Sequence, residues 1–269
     1  MINMCQLVGS HDILLMTLDT LRFDVAQTCI TDGRTPFLAS LLPDGIWEER
    51  HSPATFTYAA HQAFFAGFLP TPITPGQHPR LFAAQFPGSE TTHATTYVFD
   101  APDIVTGLAQ VGYRTLCIGG VGFFNQLSPL GQALPSLFMD RYWTPALGVT
   151  DPQSTAHQIE LAVTCLQRIP TEQRVFLFVN ISALHQPNYM YLPGATSDSW
   201  ASHAASLAYV DRQLPPLFAA LQQRASTLCI LCSDHGTAYG EAGYVGHRVS
   251  HPVVWTVPYA EFVLPERQP

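Results

Sequence analysis

Three observations predict an α/β fold with a doubly wound, mostly parallel sheet and helices on both faces. Short β-rich apolar runs alternate with stretches of helical periodicity along the chain. Two of those runs end in an aspartate, at Asp19 and Asp234. A buried strand that ends in a carboxylate places it at the carboxyl edge of the sheet, where open α/β folds hold their ligands. Hydrophobic residues make up 47% of the 269, enough for a large core and too many for a disordered chain.

Taken in order, the strands are expected at Ile13–Leu18, Tyr97–Phe99, Arg114–Ile118, Arg174–Ile181, Thr227–Cys232 and Tyr259–Leu264. Helical patterns fall at Pro36–Leu42, Thr57–Phe65, Pro102–Val111, Ser154–Arg168 and Trp200–Gln223. The last is the clearest, with Leu207, Val210, Leu214, Leu217 and Leu221 at helical spacing. Its Asp211 and Arg212 read as a solvated face or a cap. Prolines crowd the stretch from Pro70 to Pro87, which reads as an irregular loop. Two more long loops are expected at Gln186–Ser199 and Gly236–Pro258, and loops of that length are often functional. No repeat or boundary divides residues 1–269, so one domain is expected.

Charged residues are only 12%, about half the usual share. A net charge of −8 provides no footprint for nucleic acid or anionic lipid. All twelve basic residues are arginines, so an anion must be held by arginine, histidine, backbone amides or metal. The six cysteines sit mostly in apolar runs, and Cys229 and Cys232 would point to opposite faces of a strand. With no second Cys-x-x-Cys to form a zinc site, free thiols in a reducing cytoplasm are the expectation. The N-terminal stretch lacks a basic n-region, so no signal peptide is expected, and no apolar run nears the roughly 18 residues of a membrane span. A cytoplasmic location without membrane attachment follows.

Asp19 and Asp234, with the neighbouring imidazole of His235, outline a site for a hard cation. Thr57 opens the helix between them, where partial positive charge and free amides favour an incoming anion. Threonine is also a frequent N-cap. His61 lies one turn after Thr57, on the same side of the helix.

Three segments, in order, resemble the alkaline phosphatase and sulfatase superfamily. Leu15-Met16-Thr17-Leu18-Asp19-Thr20-Leu21-Arg22 looks like its first metal-binding strand. Ser52 to Gly67 is similar to its nucleophile helix, with the reactive position, here Thr57, ten residues before Gly67. Ser233-Asp234-His235-Gly236 and the loop to His247 look like its second metal strand. Phe178 to Pro187 fits the central segment that carries a substrate-side histidine, here His185, and Tyr209 to Gln213 fits the helix before the last metal strand. The chain is shorter than typical members, and the usual C-terminal subdomain is expected to be lacking.

The resemblance implies a role for each matched residue. Asp19, Asp234, His235 and the Thr57 oxygen would ligate a divalent cation, which lowers the pKa of a coordinated hydroxyl and neutralises a departing oxyanion. Threonine is a poor nucleophile without such help. His61, where sulfatases have arginine, would contact the substrate anion. His185 and His247 would protonate the leaving group or bind a nonbridging oxygen. Arg22 would neutralise the site or fix the loop after the first strand. The histidines at 11, 51, 78, 93, 157 and 203 are expected in surface or packing roles.

Departures from the family steer the chemistry. Sulfatases mature a Cys or Ser in a Cys/Ser-x-Pro-x-Arg context, and Thr57-Tyr58-Ala59-Ala60-His61 has none of these features. Threonine resembles the phosphodiesterase and phosphoglycerol or phosphoethanolamine transferase branches. Ile181 and Ala183 stand where two-metal members place a carboxylate before the central histidine. One cation is therefore expected (Mn, Mg, Ca or Zn). A second would have to rely on His185, His247 and His251, with an acid such as Asp198.

The resulting expectation is a metal-dependent hydrolase or transferase of phosphate esters, diesters or phosphonates, working through a phospho-Thr57 intermediate on a small-molecule substrate. Phe56, Tyr58, Tyr189 and Tyr191 would wall its pocket. The alternative is a non-catalytic anion-binding or complex-forming subunit, which would dock a partner protein or a second copy through apolar surface.

Overall fold

The computed structural model describes residues 2–67 and 103–267, together with the backbone of two short strands between them. The strands are β1 (Asp12–Leu18), β2 (Glu48–His51), β3 (Arg80–Phe82), β4 (Thr96–Val98), β5 (Arg114–Ile118), β6 (Asp140–Tyr142), β7 (Val175–Ile181), β8 (Thr227–Cys232), β9 (Ala238–Tyr239), β10 (Val245–Gly246) and β11 (Thr256–Leu264). The α-helices are α1 (Phe23–Thr31), α2 (Pro36–Leu41), α3 (Thr57–Ala66), α4 (Ile104–Gln110), α5 (Pro129–Ala133), α6 (Ser154–Arg168), α7 (Trp200–Gln213), α8 (Pro215–Arg224) and α9 (Pro252–Trp255).

Seven strands form one sheet in the order β2-β11-β8-β1-β7-β5-β6. The pairs from β8 across to β6 are parallel, and β11 runs antiparallel to both β8 and β2. This is the mostly parallel, doubly wound sheet that the alternating pattern predicts. Side chains alternate between its faces with the period of two that a strand imposes. Leu14, Met16 and Leu18 meet α1, α2, α6, α7 and α8 on one face. Ile13, Phe176 and Phe178 meet Phe65 of α3 and Val105 and Leu108 of α4 on the other.

The clearest helical pattern proves to be two helices. Pro215 has no N–H to continue the ladder, so the expected Trp200–Gln223 helix breaks into α7 and α8 at Leu214. Asp211 is neither solvated nor a cap of its own helix. It is buried, and its carboxylate accepts the Phe37 and Leu38 amides at the start of α2 (3.2 and 2.7 Å). The sequence reading misses β2, because Glu48–His51 is exposed at every position and shows no alternation. It also misses α1 and the three-residue β6. Apart from β3, which interrupts the loop expected over Pro70–Pro87, the proline-rich stretch lies outside the described residues, as do His78, His93 and Phe99. Among the described residues no helix is long and apolar enough to cross a membrane.

Candidate metal and phosphoryl-transfer site

Strand register brings the two aspartates together. Thr17 of β1 pairs with Cys232 of the neighbouring parallel strand β8, so Asp19 and Asp234, each two residues further on, leave the sheet side by side. One ligand atom each from Asp19, Asp234 and His235 lie within 4.8 Å of one another, and all three residues are fully buried. Thr57, the first residue of α3, enters from the face that α3 covers. Its Oγ1 lies 3.2 Å from His235 Nε2. Ten residues on, Gly67 ends the helix with φ +70°, and its N–H bonds Ala63 O.

The donor and acceptor pattern leaves ligand atoms free. Asp234 Oδ1 accepts the Thr20 and His235 amides (3.1 and 3.0 Å), and Asp19 Oδ2 accepts Asn180 Nδ2 (3.0 Å). Asp19 Oδ1 and Asp234 Oδ2 are buried with no partner. His235 Nδ1–H donates to the Gly236 carbonyl (2.8 Å), which leaves the Nε2 lone pair facing Thr57 and Asp234 Oδ2 (3.4 Å). Two orphaned carboxylate oxygens and an imidazole lone pair fit a divalent cation. Burial and the Asp234 charge push the Asp19 carboxyl well above its ordinary range. Burial holds His235 down to about 3, so its imidazole is neutral, as a ligand must be.

Three imidazoles meet over this point. The His247 ring lies 4.7 Å from His235 and 5.4 Å from His185, between centroids. Burial and the other two imidazoles hold His247 down to about 4. His185 is lowered by burial, and its Nδ1 bonds the Gln186 carbonyl. His247 Nδ1 is buried without a partner.

His61, expected against the substrate anion, lies under the site instead, with Nδ1 3.8 Å from Asp234 Oδ2. It is fully buried beneath Thr57, ringed by Phe64, Phe65, Phe124 and Phe178, with both nitrogens engaged. A substrate oxygen has no free atom to meet on that ring. His251, the third expected ligand for a second cation, accepts the Val253 amide through Nδ1 and caps α9 (3.3 Å). One oxygen of Asp198 is held by the Asn188 and Tyr189 amides (2.6 and 2.8 Å). Among the described residues, no second cluster of acid, histidine and cysteine side chains has metal-binding spacing.

Arg22 fixes the loop. Its guanidinium grips both oxygens of Asp24 (2.8 and 2.7 Å), pairs with Glu241 and reaches the Thr237 carbonyl (3.4 Å). That ties the segment after β8 to the exit of β1. Phe56 and Tyr58 flank Thr57 half-buried and meet Phe123 at 6.3 and 5.7 Å. Tyr191 instead stacks on Tyr209 (4.8 Å) against the core, so it does not wall a pocket. Tyr189 is exposed.

Thr20 escapes the sequence reading. It is a β-branched residue at φ +62°, a conformation such residues rarely adopt. Its hydroxyl bonds Leu184 O (3.1 Å), and the unusual φ aims its amide at Asp234. Strain of this kind gathers at functional sites, and no sequence signal marks it. Asn180 also escapes notice, as one polar residue inside an apolar strand.

The fold and site define an alkaline phosphatase/sulfatase-like α/β protein. Residues 11–255 match the Sulfatase family, and the chain belongs to that family. Similar structures include the C-terminal periplasmic domain of phosphoethanolamine transferase EptC from Campylobacter jejuni. It is 12% identical, with a TM-score of 0.60 over 95% of this chain and 80% of that one. The soluble domain of lipooligosaccharide phosphoethanolamine transferase A from Neisseria meningitidis is 14% identical, with a TM-score of 0.61 over 95% and 77%. The putative sulfatase yidJ from Bacteroides fragilis is 16% identical, with a TM-score of 0.58 over 94% and 68%. No curated protein sequence gives a significant match.

Proposed function

We propose that the protein is a metal-dependent phosphoryl-transfer enzyme, a hydrolase or transferase of phosphate esters, diesters or phosphonates, with Thr57 as nucleophile. One observation carries this reading. The Thr57 hydroxyl stands 3.2 Å from a neutral imidazole lone pair, in the corner where two buried carboxylate oxygens lack partners. Asp19, Asp234, His235 and Thr57 would hold one divalent cation, drawn from Mn, Mg, Ca or Zn. Bound there, it would supply a lowered hydroxyl pKa and charge neutralisation.

The chain's own residues do the rest. Thr57 Oγ1, its proton released to solvent, attacks phosphorus in line, so its O–P bond forms as the bond to the leaving oxygen breaks and that oxygen takes up a proton from solvent. The first-turn amides of α3 face the anion. His247, neutral, donates its one N–H to a phosphoryl or leaving-group oxygen. His185, also neutral, spends its N–H on the Gln186 carbonyl, so its bare Nε2 accepts the proton of the incoming water or alcohol. Water or an acceptor alcohol then takes the phosphoryl group from Thr57. The transferase names of two similar structures support phosphoryl chemistry, and the absence of a Cys/Ser-x-Pro-x-Arg context argues against sulfate esters. The half-buried rings of Phe56, Tyr58 and Phe123 suit an organic moiety on the substrate. Six unpaired cysteines support a reducing, cytoplasmic setting.

Metal-loaded wild type and Thr57→Ala, assayed on chromogenic phosphate monoesters, diesters and sulfate esters, test the proposal. Phosphorus substrates should turn over, with a loss of at least about a thousandfold in the variant. Turnover of sulfate esters alone, or full activity in Thr57→Ala, would overturn it.

A further inference from the structure

We propose that Asn180, Thr17 and His61 are positioning residues that set Asp19 and the Thr57 helix as one unit. Asn180 of β7 and Thr17 of β1 are paired neighbours in the sheet, and both are fully buried. The Val121 amide donates to Asn180 Oδ1 (3.0 Å), which fixes the orientation of the side-chain amide. Its Nδ2 then donates one hydrogen to Asp19 Oδ2 (3.0 Å) and the other to Thr17 Oγ1 (3.1 Å). The Thr57 carbonyl can only accept, so a neutral His61 carries its proton on Nδ1, which meets that carbonyl at 2.8 Å. Its bare Nε2 then accepts the hydrogen of the Thr17 hydroxyl (3.1 Å). Every side-chain donor in the chain has one acceptor, and only one tautomer of His61 satisfies them all.

The consequence is mechanical. Asn180 occupies the far oxygen of Asp19 and leaves Oδ1, the unpartnered one, turned into the site. At the other end His61 grips the first turn of α3, which carries Thr57. The ring of phenylalanines around His61 excludes water that could replace these bonds. Histidine at position 61 acts on the nucleophile from beneath, through its helix, and not on the substrate. The Asp19 half of this inference rests on the reading of Asp19 as a cation ligand. The His61 half does not.

Two measurements test it. Long-range 1H–15N spectra of the histidine-labelled protein should show His61 in the Nδ1–H tautomer. Thr17→Val should shift those resonances, and Thr17→Ser should restore them. A His61 protonated on Nε2, or one indifferent to Thr17→Val, overturns the chain. In calorimetry, Asn180→Leu should weaken Mn2+ binding about ten- to a hundredfold, the usual effect of losing a ligand's outer partner. Asn180→Ala, which adds no bulk, is the second variant should leucine fail to fold. Wild-type affinity in a folded Asn180 variant overturns the Asp19 half. Failure of the wild type to bind Mn2+ overturns the cation reading and that half with it.

Discussion

Asp19 and Asp234 leave the sheet from adjacent parallel strands, fully buried, with an orphaned oxygen on each. In the metal-free protein burial first, and the Asp234 charge second, raise the Asp19 carboxyl well above its ordinary 3.8. The folded state then binds that proton more tightly than the unfolded one. The Asp19 contribution to stability is therefore intact below the unfolded pKa and is lost as pH rises through the folded value.

Asp19→Asn should accordingly stabilise the metal-free protein at pH 7, by roughly 1–3 kcal/mol, and remove that pH dependence. It should also abolish the rise in melting temperature that the wild type shows with Mn2+. Thermal melts of both proteins, with and without the ion, check this. A destabilised metal-free variant would show that the carboxylates do not repel.

His203 provides a second pH dependence with the opposite sign. It is fully buried in α7, stands edge-on to Tyr239 at 5.8 Å and has no partner on either nitrogen. Burial first, and the Arg22 charge second, hold it down to about 3. The unfolded chain takes up this proton near 6.5 while the folded one refuses it, so stability falls as pH drops from 6.5 toward 3. His203→Phe should remove that loss, a gain of roughly 2 kcal/mol at pH 5 from about 1.5 pH units at 1.4 kcal/mol each. Denaturant unfolding at pH 5 and pH 8 measures it, and an equal effect at both would rule the titration out.

At the opposite edge of the sheet Arg224 and Asp12 form a buried pair, Nε to Oδ2 at 3.0 Å. Arg224 also donates to the carbonyls of Leu166, Ile169, Pro170 and Gln173. Arg224→Met removes the nearer of two cationic partners of Asp12, leaving Arg174 (3.4 Å) and the Val175 amide (2.9 Å) on its other oxygen, and should cost about 3 kcal/mol, leaving Mn2+ affinity of the folded protein unchanged. Urea unfolding reads the first and calorimetry the second. A loss under about 1 kcal/mol would mean that water reaches the pair.

Gly236 has no room for a side chain, because an added Cβ would collide with the Val253 carbonyl. Its amide also bonds Val254 O (2.7 Å). Gly236→Ala should push the segment that carries His235 off α9, destabilise the fold by about 1–3 kcal/mol and weaken cation binding at least about tenfold. Retained affinity would show that the segment adapts.

Much of this protein is legible in one dimension. Apolar runs mark β1, β7 and β8, and a strand that ends in aspartate announces a carboxylate at the sheet edge, since periodicity and termination are local properties. The helical pattern expected at Thr57–Phe65 is local in the same way, and α3 runs over Thr57–Ala66. Tertiary structure decided what depends on partners distant in the chain. The register of β1 against β8 sets Asp19 beside Asp234, and residues 215 positions apart in sequence carry no sign of it. Helical phase puts His61 on the same side as Thr57, and the resemblance implies a substrate contact there, but phase names a side of a helix and not what covers it. The covering phenylalanines and the Thr17 hydroxyl come from other elements. Burial and hydrogen-bond partnership belong to the packed assembly, so only the folded chain could separate Asp19, with its orphaned oxygen, from the helix-capping Asp211.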